Sequence, residues 1–388
     1  MLTRRHESGA VSLFLVVFAM LLITIVTLSF LRIMITDQQQ ASLSDLSQSA
    51  YDSSLAGVED AKRALIYYQT SCNNDASTCS TQKDIINSTS CNTGLQKVVP
   101  SVAATNDRNP VKEIPVAQSQ SSGDVALNQA YTCVVMKLET SDYLGTVQAN
   151  TSKLIPLKST KPFTSVTVEW YMSSDLGTKD TKLDLTSFSD PTKPLYQPSF
   201  WPSNRPSLMR AQLIQFGPSF TLGSFDSASS NSAISNANTI FMYPTSLFGT
   251  APPIKDTTDF TSAGAPKVVR CVSDLSAGGY ACTVTITLPR AIGQSSDDHP
   301  NTYLRLTPIY NATHYRVTLG GDAQFDGVQP SIDSTGRANK QFRRVNTRVD
   351  LVDTSFPFPE AAIDLTGNFC KDFVVTNATS DYAATCKP

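Results

Sequence analysis

The chain has 388 residues, of which 16% are charged, and a formal net charge of −2 at pH 7. This length allows two modest domains or one large irregular domain. The balanced charge, with no basic cluster longer than Arg4-Arg5 and Arg343-Arg344, argues against a nucleic-acid-binding surface. Frequent Ser, Thr, Asn, Gln and Pro residues favour a loop-rich β domain over a helical bundle.

The first element is Ala10–Leu31, a stretch of 22 residues without a charge. As a helix it would be about 33 Å long, enough to cross a bilayer core of about 30 Å. A signal-peptide core is shorter, about 7–15 residues, and ends in a small-residue cleavage site. Here Arg32-Ile33-Met34-Ile35 follow, so we expect the stretch to stay in the protein. Arg4 and Arg5 precede it, and this predicts a cytoplasmic N-terminus and an extracytoplasmic remainder.

Helical periodicity continues beyond this stretch. Apolar residues recur at spacings of three and four, at Leu43, Leu46, Ala50, Leu55, Val58 and Leu65. Glu59 precedes Arg63 by four residues, a favourable helical pair, and no proline occurs before Pro100. These features predict one helix from Ala10 to about Tyr68, about 88 Å long. The alternative is an anchor helix followed by a separate coiled-coil stalk.

The sequence of residues 7–34, with its continuation over residues 39–65, resembles the N-terminus of type IV pilin-like proteins. It is most similar to minor pilins of the PilX type. The resemblance implies a leader over residues 1–9, cleavage by a prepilin peptidase after Gly9, and N-methylation of Ala10. It also implies that residues 10–68 form a transmembrane and assembly helix that packs against other pilins in a filament.

Phe14 departs from the usual pattern of this family. Most pilins carry a glutamate at the fifth mature position, which is Phe14 if Ala10 is the first mature residue. A carboxylate in lipid is costly and normally functional, and in the family it is thought to neutralise the terminal amine of a neighbouring subunit. In lacking this glutamate, the chain resembles minor pilins at a filament tip, where no subunit lies above.

Residues 69–388 are predicted to form one extracytoplasmic, β-rich head domain. Predicted strands in it are Val111–Val116, Tyr131–Leu138, Ser165–Met172, Ala211–Phe216, Thr239–Tyr243, Lys267–Val272, Tyr280–Leu288, Thr302–Thr307, His314–Leu319 and Lys340–Val352. A short helix is expected around Gln82–Asn87. Residues 156–266 are rich in proline and are interpreted as an insertion, much of it loop or edge strand.

Eight cysteines follow the apolar stretch: Cys72, Cys79, Cys91, Cys133, Cys271, Cys282, Cys370 and Cys386. No CxxC pair is present, so a disulfide framework outside the cytoplasm is favoured over a zinc site. Short separations suggest the pairs Cys72–Cys79, Cys271–Cys282 and Cys370–Cys386, which leaves Cys91–Cys133 by elimination. The sequence does not prove this connectivity. Cys271–Cys282 would bridge a hairpin that turns at Gly278-Gly279.

The end of the chain also resembles large PilX-type heads. Residues 305–309, 331–339 and 343–345 are similar to their closing strands. This similarity implies that a turn at Gly336 feeds a final strand in the centre of the sheet. Residues 366–388, closed by Cys370–Cys386, resemble the disulfide-bounded C-terminal loop of many pilins.

No catalytic or metal-binding motif is recognisable. His6 lies in the predicted leader, and His299 and His314 are isolated, so neither is assigned a catalytic role. Asp297-Asp298 and the glycine-flanked Asp322 and Asp326 could ligate calcium, but they lack EF-hand spacing and read more simply as solvated turns. Asn87, Asn150, Asn311 and Asn377 lie in N-x-[ST] patterns, which arise by chance in a chain rich in Ser and Thr.

The expected fold class is therefore α+β, with a long N-terminal transmembrane and assembly helix and a large antiparallel β-sheet head with disulfide-stapled loops. The favoured function is a non-enzymatic minor pilin of a type IV pilus or secretion pseudopilus, which initiates or caps the filament, with adhesion as a further role. The alternatives are a single-pass membrane-anchored adhesin that does not polymerise, and an anchored enzyme. The expected partners are other pilins, a prepilin peptidase and the membrane; no cofactor, metal or nucleic acid is expected.

Overall fold

The structure is a computed structural model that describes residues 9–74, 76–103, 113–116, 128–185, 201–216, 237–245, 257–259, 267–293 and 301–351. A long apolar N-terminal helix precedes a large β region in which most strand pairs are antiparallel and disulfides are present. At this coarse level the α+β prediction agrees with the structure. The described residues divide into two compact units.

Unit 1 takes its residues from Met1–Met136 and Ile332–Thr347. Its helices are α1 (Gly9–Asn74), α2 (Ala76–Ile86) and α3 (Pro100–Ala103), with a 3₁₀ turn at Thr93–Leu95, and its strands are β1 (Ile114–Pro115), β2 (Gln129–Thr140), β13 (Phe325–Ala338) and β14 (Gln341–Arg348). The sheet has the order β1-β2-β13-β14. α1 is one continuous helix of 66 residues, about 99 Å long. It continues six residues past the predicted end at Tyr68 and is not divided into anchor and stalk.

Two predictions for the end of this sheet are wrong. Gly336 lies inside β13 and does not form a turn; the chain turns at Asn339-Lys340, where Asn339 has a φ of 52°. The final strand, β14, ends the strand order of the described sheet and is not central. The turn was misplaced because glycine is common in turns, whereas here its small size lets the strand approach α1 closely.

Unit 2 takes its residues from Lys137–Ser331 and Arg348–Pro388. Its strands are β3 (Asp142–Val147), β4 (Lys153–Pro156), β5 (Phe163–Met172), β6 (Leu208–Phe216), β7 (Ala237–Thr245), β8 (Thr257–Asp259), β9 (Lys267–Arg270), β10 (Tyr280–Ile292), β11 (Asn301–Ile309) and β12 (Thr313–Leu319), with a 3₁₀ turn at Ser173–Asp175. They form two five-stranded sheets, β3-β12-β5-β10-β8 and β4-β11-β6-β7-β9. The chain passes from unit 1 to unit 2 within β2 and returns within β13.

The two five-stranded sheets share one apolar core. The alternation in the predicted strand Ser165–Met172 puts Val166, Val168 and Trp170 on one face, and in β5 all three are fully buried. Alternate residues of β6 in the other sheet, among them Leu213, belong to the same core cluster. The proline-rich range 156–266 thus supplies β5 and β6, each of which is third in its five-strand order.

The predicted hairpin of Lys267–Val272 and Tyr280–Leu288 is wrong in its pairing. β9 pairs in parallel with β7, whereas β10 pairs with β5 in the other sheet. The two segments meet at the Cys271–Cys282 bridge, where the Val272 amide donates to the Ala281 carbonyl at 2.8 Å. The turn nevertheless contains Gly278 and Gly279 in positive-φ conformations, 75° and 82°. The prediction of a glycine turn was therefore correct, but the sheet that each of the two strands joins depends on strands that are distant in sequence.

Candidate functional site

The first part of α1 is an apolar surface that the described residues leave uncovered. Gly9 begins the helix, and the large side chains from Leu13 to Ile35 are all exposed. Phe14 is 75% exposed, the largest value in this stretch. α1 is the one described helix that is long and apolar enough to cross a membrane. Such a surface is costly in water and marks a site for lipid or for other apolar helices.

The hydroxyl groups within this apolar stretch are satisfied by the helix itself. Thr24 Oγ1 donates to the Met20 carbonyl at 2.7 Å, and Thr27 Oγ1 donates to the Ile23 carbonyl at 2.9 Å. Ser29 Oγ makes the same bond to the Ile25 carbonyl at 2.8 Å. Because a hydroxyl bonded in this way needs no water, these residues are compatible with lipid.

The second part of α1 presents small residues to the sheet of unit 1. The buried face includes Ala50, Ser53, Ser54, Gly57 and Ala61, all at helical spacing. At Gly57 an added Cβ would lie 2.8 Å from Val134 Cγ2 of β2. The small-residue run over residues 50–61 therefore has a structural use, because it lets the helix and the sheet approach closely.

The approach is closest where α1 crosses β13. A Cβ added at Gly336 would overlap the Ala50 carbonyl oxygen and the Ser54 amide nitrogen of α1. Beside it, Ser334 Oγ donates to the Ser54 carbonyl at 2.7 Å, in a buried hydrogen bond between strand and helix. Glycine at position 336 thus allows backbone to pack on backbone.

Polar side chains also join α1 to the sheet. Tyr131 of β2 donates its hydroxyl to Asp60 Oδ2 at 2.7 Å. Burial, followed by the hydrogen bond to the Asp60 carboxylate, raises the pKa of Tyr131 well above its usual range. Arg343 Nε of β14 donates to Ser47 Oγ at 2.7 Å. α1 is thus fixed to β2 and β14 by directional bonds as well as by packing.

Asn92 holds the loop that precedes the sheet, a role that the sequence analysis missed. Its side chain is fully buried, its φ is 60°, and its Oδ1 accepts the Val134 amide at 2.7 Å. The backbone N–H of Asn92 donates to the Val134 carbonyl at 2.8 Å. This exchange resembles one step of a β ladder, formed by a single asparagine. The sequence indicates this role of Asn92 only through its residue type, because asparagine tolerates the left-handed backbone conformation.

Three disulfides lie within the described residues, and they have the expected pairings. Cys72–Cys79 joins the end of α1 to α2, Cys91–Cys133 joins the loop before α3 to β2, and Cys271–Cys282 joins the two sheets of unit 2. The predicted Cys370–Cys386 pair lies outside the described residues. The chain is therefore closed by covalent bridges in both units, as is typical of extracytoplasmic domains.

The aromatic residues near Pro202 and Pro206 form an internal cluster. Trp201 and Tyr243 are each 6% exposed, and the Arg205 guanidinium carbon lies 4.8 Å and 5.2 Å from their ring centroids. Arg205 also donates to the Tyr243 hydroxyl at 2.6 Å. Tyr310 stacks on Trp201 with a centroid distance of 4.4 Å. This part of the proline-rich range is therefore core, and its aromatic rings are not available as a surface binding platform.

His314 contacts a serine and an aspartate, but the geometry is that of a turn. Ser174 Oγ lies 3.3 Å and Asp175 Oδ1 lies 2.5 Å from the same ring nitrogen, Nδ1. A catalytic triad needs the nucleophile and the acid on opposite ring nitrogens. Asp175 also accepts the backbone amides of Met172 and His314, so it closes the 3₁₀ turn after β5.

The remaining candidate sites give no assembled centre in the part of the chain that the structure describes. No group of three or more His, Cys, Asp or Glu side chains in these residues could hold a metal ion. Asp322 lies in a turn and Asp326 lies in β13, while Asp297, Asp298 and His299 lie outside the described residues. Of the N-x-[ST] asparagines, Asn311 uses its amide nitrogen to bond the Pro202 and Arg205 carbonyls at 3.0 Å and 2.8 Å.

No family model, curated protein or solved structure matches this chain.

Proposed function

We propose that this protein is a minor pilin, a non-enzymatic subunit of a type IV pilus or a related secretion pseudopilus. The observation that carries the proposal is the division of α1. Its first part exposes bulky apolar side chains, and its second part packs on a four-stranded sheet through small residues. A helix that is anchored at one end and uncovered at the other suits a subunit that moves from the membrane into a bundle of helices.

The same apolar surface serves two environments in this proposal. Before assembly, Ala10–Leu31 spans the membrane, with the head outside the cytoplasm. After assembly, the surface is buried among the helices of other pilins, so the apolar area leaves lipid without meeting water. The partners are therefore other pilins, a prepilin peptidase that cleaves after Gly9, and the membrane.

Phe14 and the size of the head support a position at the start or tip of the filament. A phenylalanine at the fifth mature position has no carboxylate to neutralise the terminal amine of a neighbouring subunit. The described residues of unit 2 form ten strands, which come in addition to unit 1. A subunit of this size fits a terminal position, where adhesion is a further role, more easily than repeated positions along the shaft.

Cleavage after Gly9 is the experiment that tests this proposal. The full chain, co-expressed with a prepilin peptidase, should yield a mature protein that begins with N-methylated Ala10, as seen by mass spectrometry of the N-terminal peptide. A Gly9→Val variant should remain uncut, whereas the neighbouring Ser8→Ala variant should be processed normally. A mature chain that retains Met1, or one that is cut elsewhere, would overturn the proposal.

A membrane-anchored adhesin that does not polymerise is the second candidate, since the uncovered apolar helix also suits a permanent anchor. It predicts an intact Met1 and the same surface display for the parent and the Gly9→Val variant. Cysteine cross-linking discriminates further. A Leu22→Cys variant should form disulfide-linked pairs with cysteine-bearing pilins in a filament, and should remain monomeric if the helix is only an anchor.

A further inference from the structure

Phe342 stands out on the surface of the head. Outside α1, only three large apolar side chains of the described residues are exposed: Leu144, Val272 and Phe342. Phe342 is the most exposed of them, at 56%, and the only aromatic one. Exposed aromatic side chains are frequent anchors of protein interfaces, because they bury a large area when a partner binds.

The strand that carries Phe342 is at an edge. β14 ends the order β1-β2-β13-β14, and no described strand pairs with its outer side. Its eight residues extend over about 26 Å. By contrast, β1 at the opposite end of the order is two residues long and includes Pro115, which cannot donate a backbone hydrogen bond. Of the two ends, only β14 offers a long row of backbone donors and acceptors.

The charge of this edge is positive. Lys340, Arg343 and Arg344 lie together in the turn and the first half of β14, and β14 contains no acidic residue. Arg344 Nε donates to Asp333 Oδ1 of β13 at 2.7 Å, yet the arginine side chain remains 71% exposed. Successive side chains of a strand point to opposite faces, so Arg344 lies on the face of Phe342 and pairs with Asp333. Arg343 lies on the other face and donates to Ser47 of α1. Cations outnumber carboxylates among the side chains of β13 and β14, and this excess favours a negatively charged partner.

Charged side chains on an edge strand often serve to prevent strand pairing between molecules. That role explains the arginines but not an exposed aromatic ring among them. The arginines do disfavour one occupant, a second copy of this chain. An antiparallel β14–β14 pair centred on Arg344 would place arginine opposite arginine, and like charges directly opposite are destabilising.

We infer that β14 is a docking strand for an acidic, extended segment of a different partner protein. The segment adds to the sheet as a further strand through backbone hydrogen bonds. On the face of Phe342, an apolar side chain of the segment covers Phe342 and a carboxylate two residues away pairs with Arg344. This inference goes beyond the proposed function, and its test does not depend on cleavage after Gly9 or on filament assembly.

The test uses the full chain in detergent micelles and a blocked eight-residue peptide that repeats Glu-Glu-Val-Val, so that each face of the added strand carries both glutamate and valine. The peptide should bind, and hydrogen exchange should slow in residues 341–348 but not in α2. Phe342→Ala should weaken binding about tenfold, as expected for an interface anchor, and Arg344→Gln should also weaken it. Higher salt should lower the affinity, because exposed charge pairs are screened.

Two control peptides and one matched variant isolate the mechanism. A lysine counterpart should not bind, and a glutamate peptide N-methylated at alternate residues should lose binding because it cannot complete the backbone ladder. Gln341→Ala, on the same strand, should bind like the parent. The inference is overturned if the glutamate peptide does not bind, if the N-methylated peptide binds equally well, or if Phe342→Ala leaves the affinity unchanged.

Discussion

The two parts of α1 meet different surroundings along one helix. From Leu13 to Ile35 the large side chains point outward, and none of them is buried by the described chain. From Ala50 to Ala61 the face toward the sheet consists mainly of alanine, serine and glycine, with Val58 as the larger exception, and it is almost fully buried. Bulky residues maximise the area that an apolar environment can cover, whereas small residues minimise the distance between two backbones. The contrast separates a part of α1 that the described chain leaves uncovered from a part that packs within the molecule.

The most severe test of this contrast is Gly336→Val. The new side chain would overlap backbone atoms of Ala50 and Ser54, and backbone cannot move aside as a flexible side chain can. We expect unit 1 to lose about 4 kcal/mol of unfolding free energy, at the upper end for a single overpacking substitution. Urea unfolding of the full chain in detergent, followed by circular dichroism and hydrogen exchange of residues 129–136, measures the loss.

Thr335→Val is the matched control, since Thr335 lies next to Gly336 but its side chain is not fully buried against α1. This variant should unfold within about 0.5 kcal/mol of the parent, as is usual for surface substitutions. Equal stability of Gly336→Val and Thr335→Val would mean that α1 does not depend on close backbone packing against β13.

Leu22→Arg tests the exposed apolar part of α1. An arginine at the centre of a membrane-spanning helix costs about 2.5–3.5 kcal/mol of insertion free energy. Because Leu22 is 52% exposed and outside the packed face, the unfolding of unit 1 should not change. Membrane fractionation should show a fall in inserted protein, while hydrogen exchange in the sheet stays at the parent level. A loss of sheet protection would show that the two parts of α1 are coupled.

The long helix and most of the strands could be predicted because their signals are local. An uncharged run of 22 residues, continued by apolar residues at spacings of three and four without proline, is sufficient to predict one long helix. The ten strand predictions rested on alternation, and Ser165–Met172 is an example in which Val166 and Trp170 are buried as expected. Short cysteine separations were similarly informative, as Cys72–Cys79 illustrates.

The errors concern residues whose surroundings are distant in sequence. β13 was recognised only in part, through the resemblance of residues 331–339 to closing strands, because Gly327, Pro330 and Gly336 are poor strand residues in isolation, although this is the longest described strand. The assignment of β9 and β10 to different sheets is decided by β7 and β5, which local periodicity cannot reveal. The docking edge at Phe342 was also hidden, because exposure of a single phenylalanine depends on which strand ends the sheet.

A smaller effect is expected at Tyr131, which joins β2 to the packed part of α1. Tyr131→Phe removes the hydrogen bond to Asp60, and we expect a loss of about 1–2 kcal/mol, less than for a fully buried charged partner because Asp60 also pairs with Arg63. Urea unfolding at pH 8 measures this loss. Tyr51→Phe is the control, since Tyr51 lies on the exposed side of α1.

The pH dependence of Tyr131 has a definite sign. Its folded-state pKa is raised, by burial first and then by Asp60, so its contribution is complete below the unfolded pKa of about 10. The contribution is lost as pH rises above about 10, because ionisation is then favoured in the unfolded chain. Tyr131→Phe should therefore reduce the alkaline loss of stability between pH 8 and pH 11. An unchanged alkaline loss in this variant would contradict the assignment.

The smallest effect is expected for Ser334→Ala, which removes the buried hydrogen bond to the Ser54 carbonyl. The carbonyl lies within a helix, and in the variant it retains its helical partner at Val58, so no buried acceptor is left without a bond. We therefore expect a loss of only about 1 kcal/mol, the usual net value of one neutral hydrogen bond. The same urea series measures it. A loss as large as that of Gly336→Val would mean that directional bonds, and not the close approach of small residues, hold the second part of α1 on the sheet.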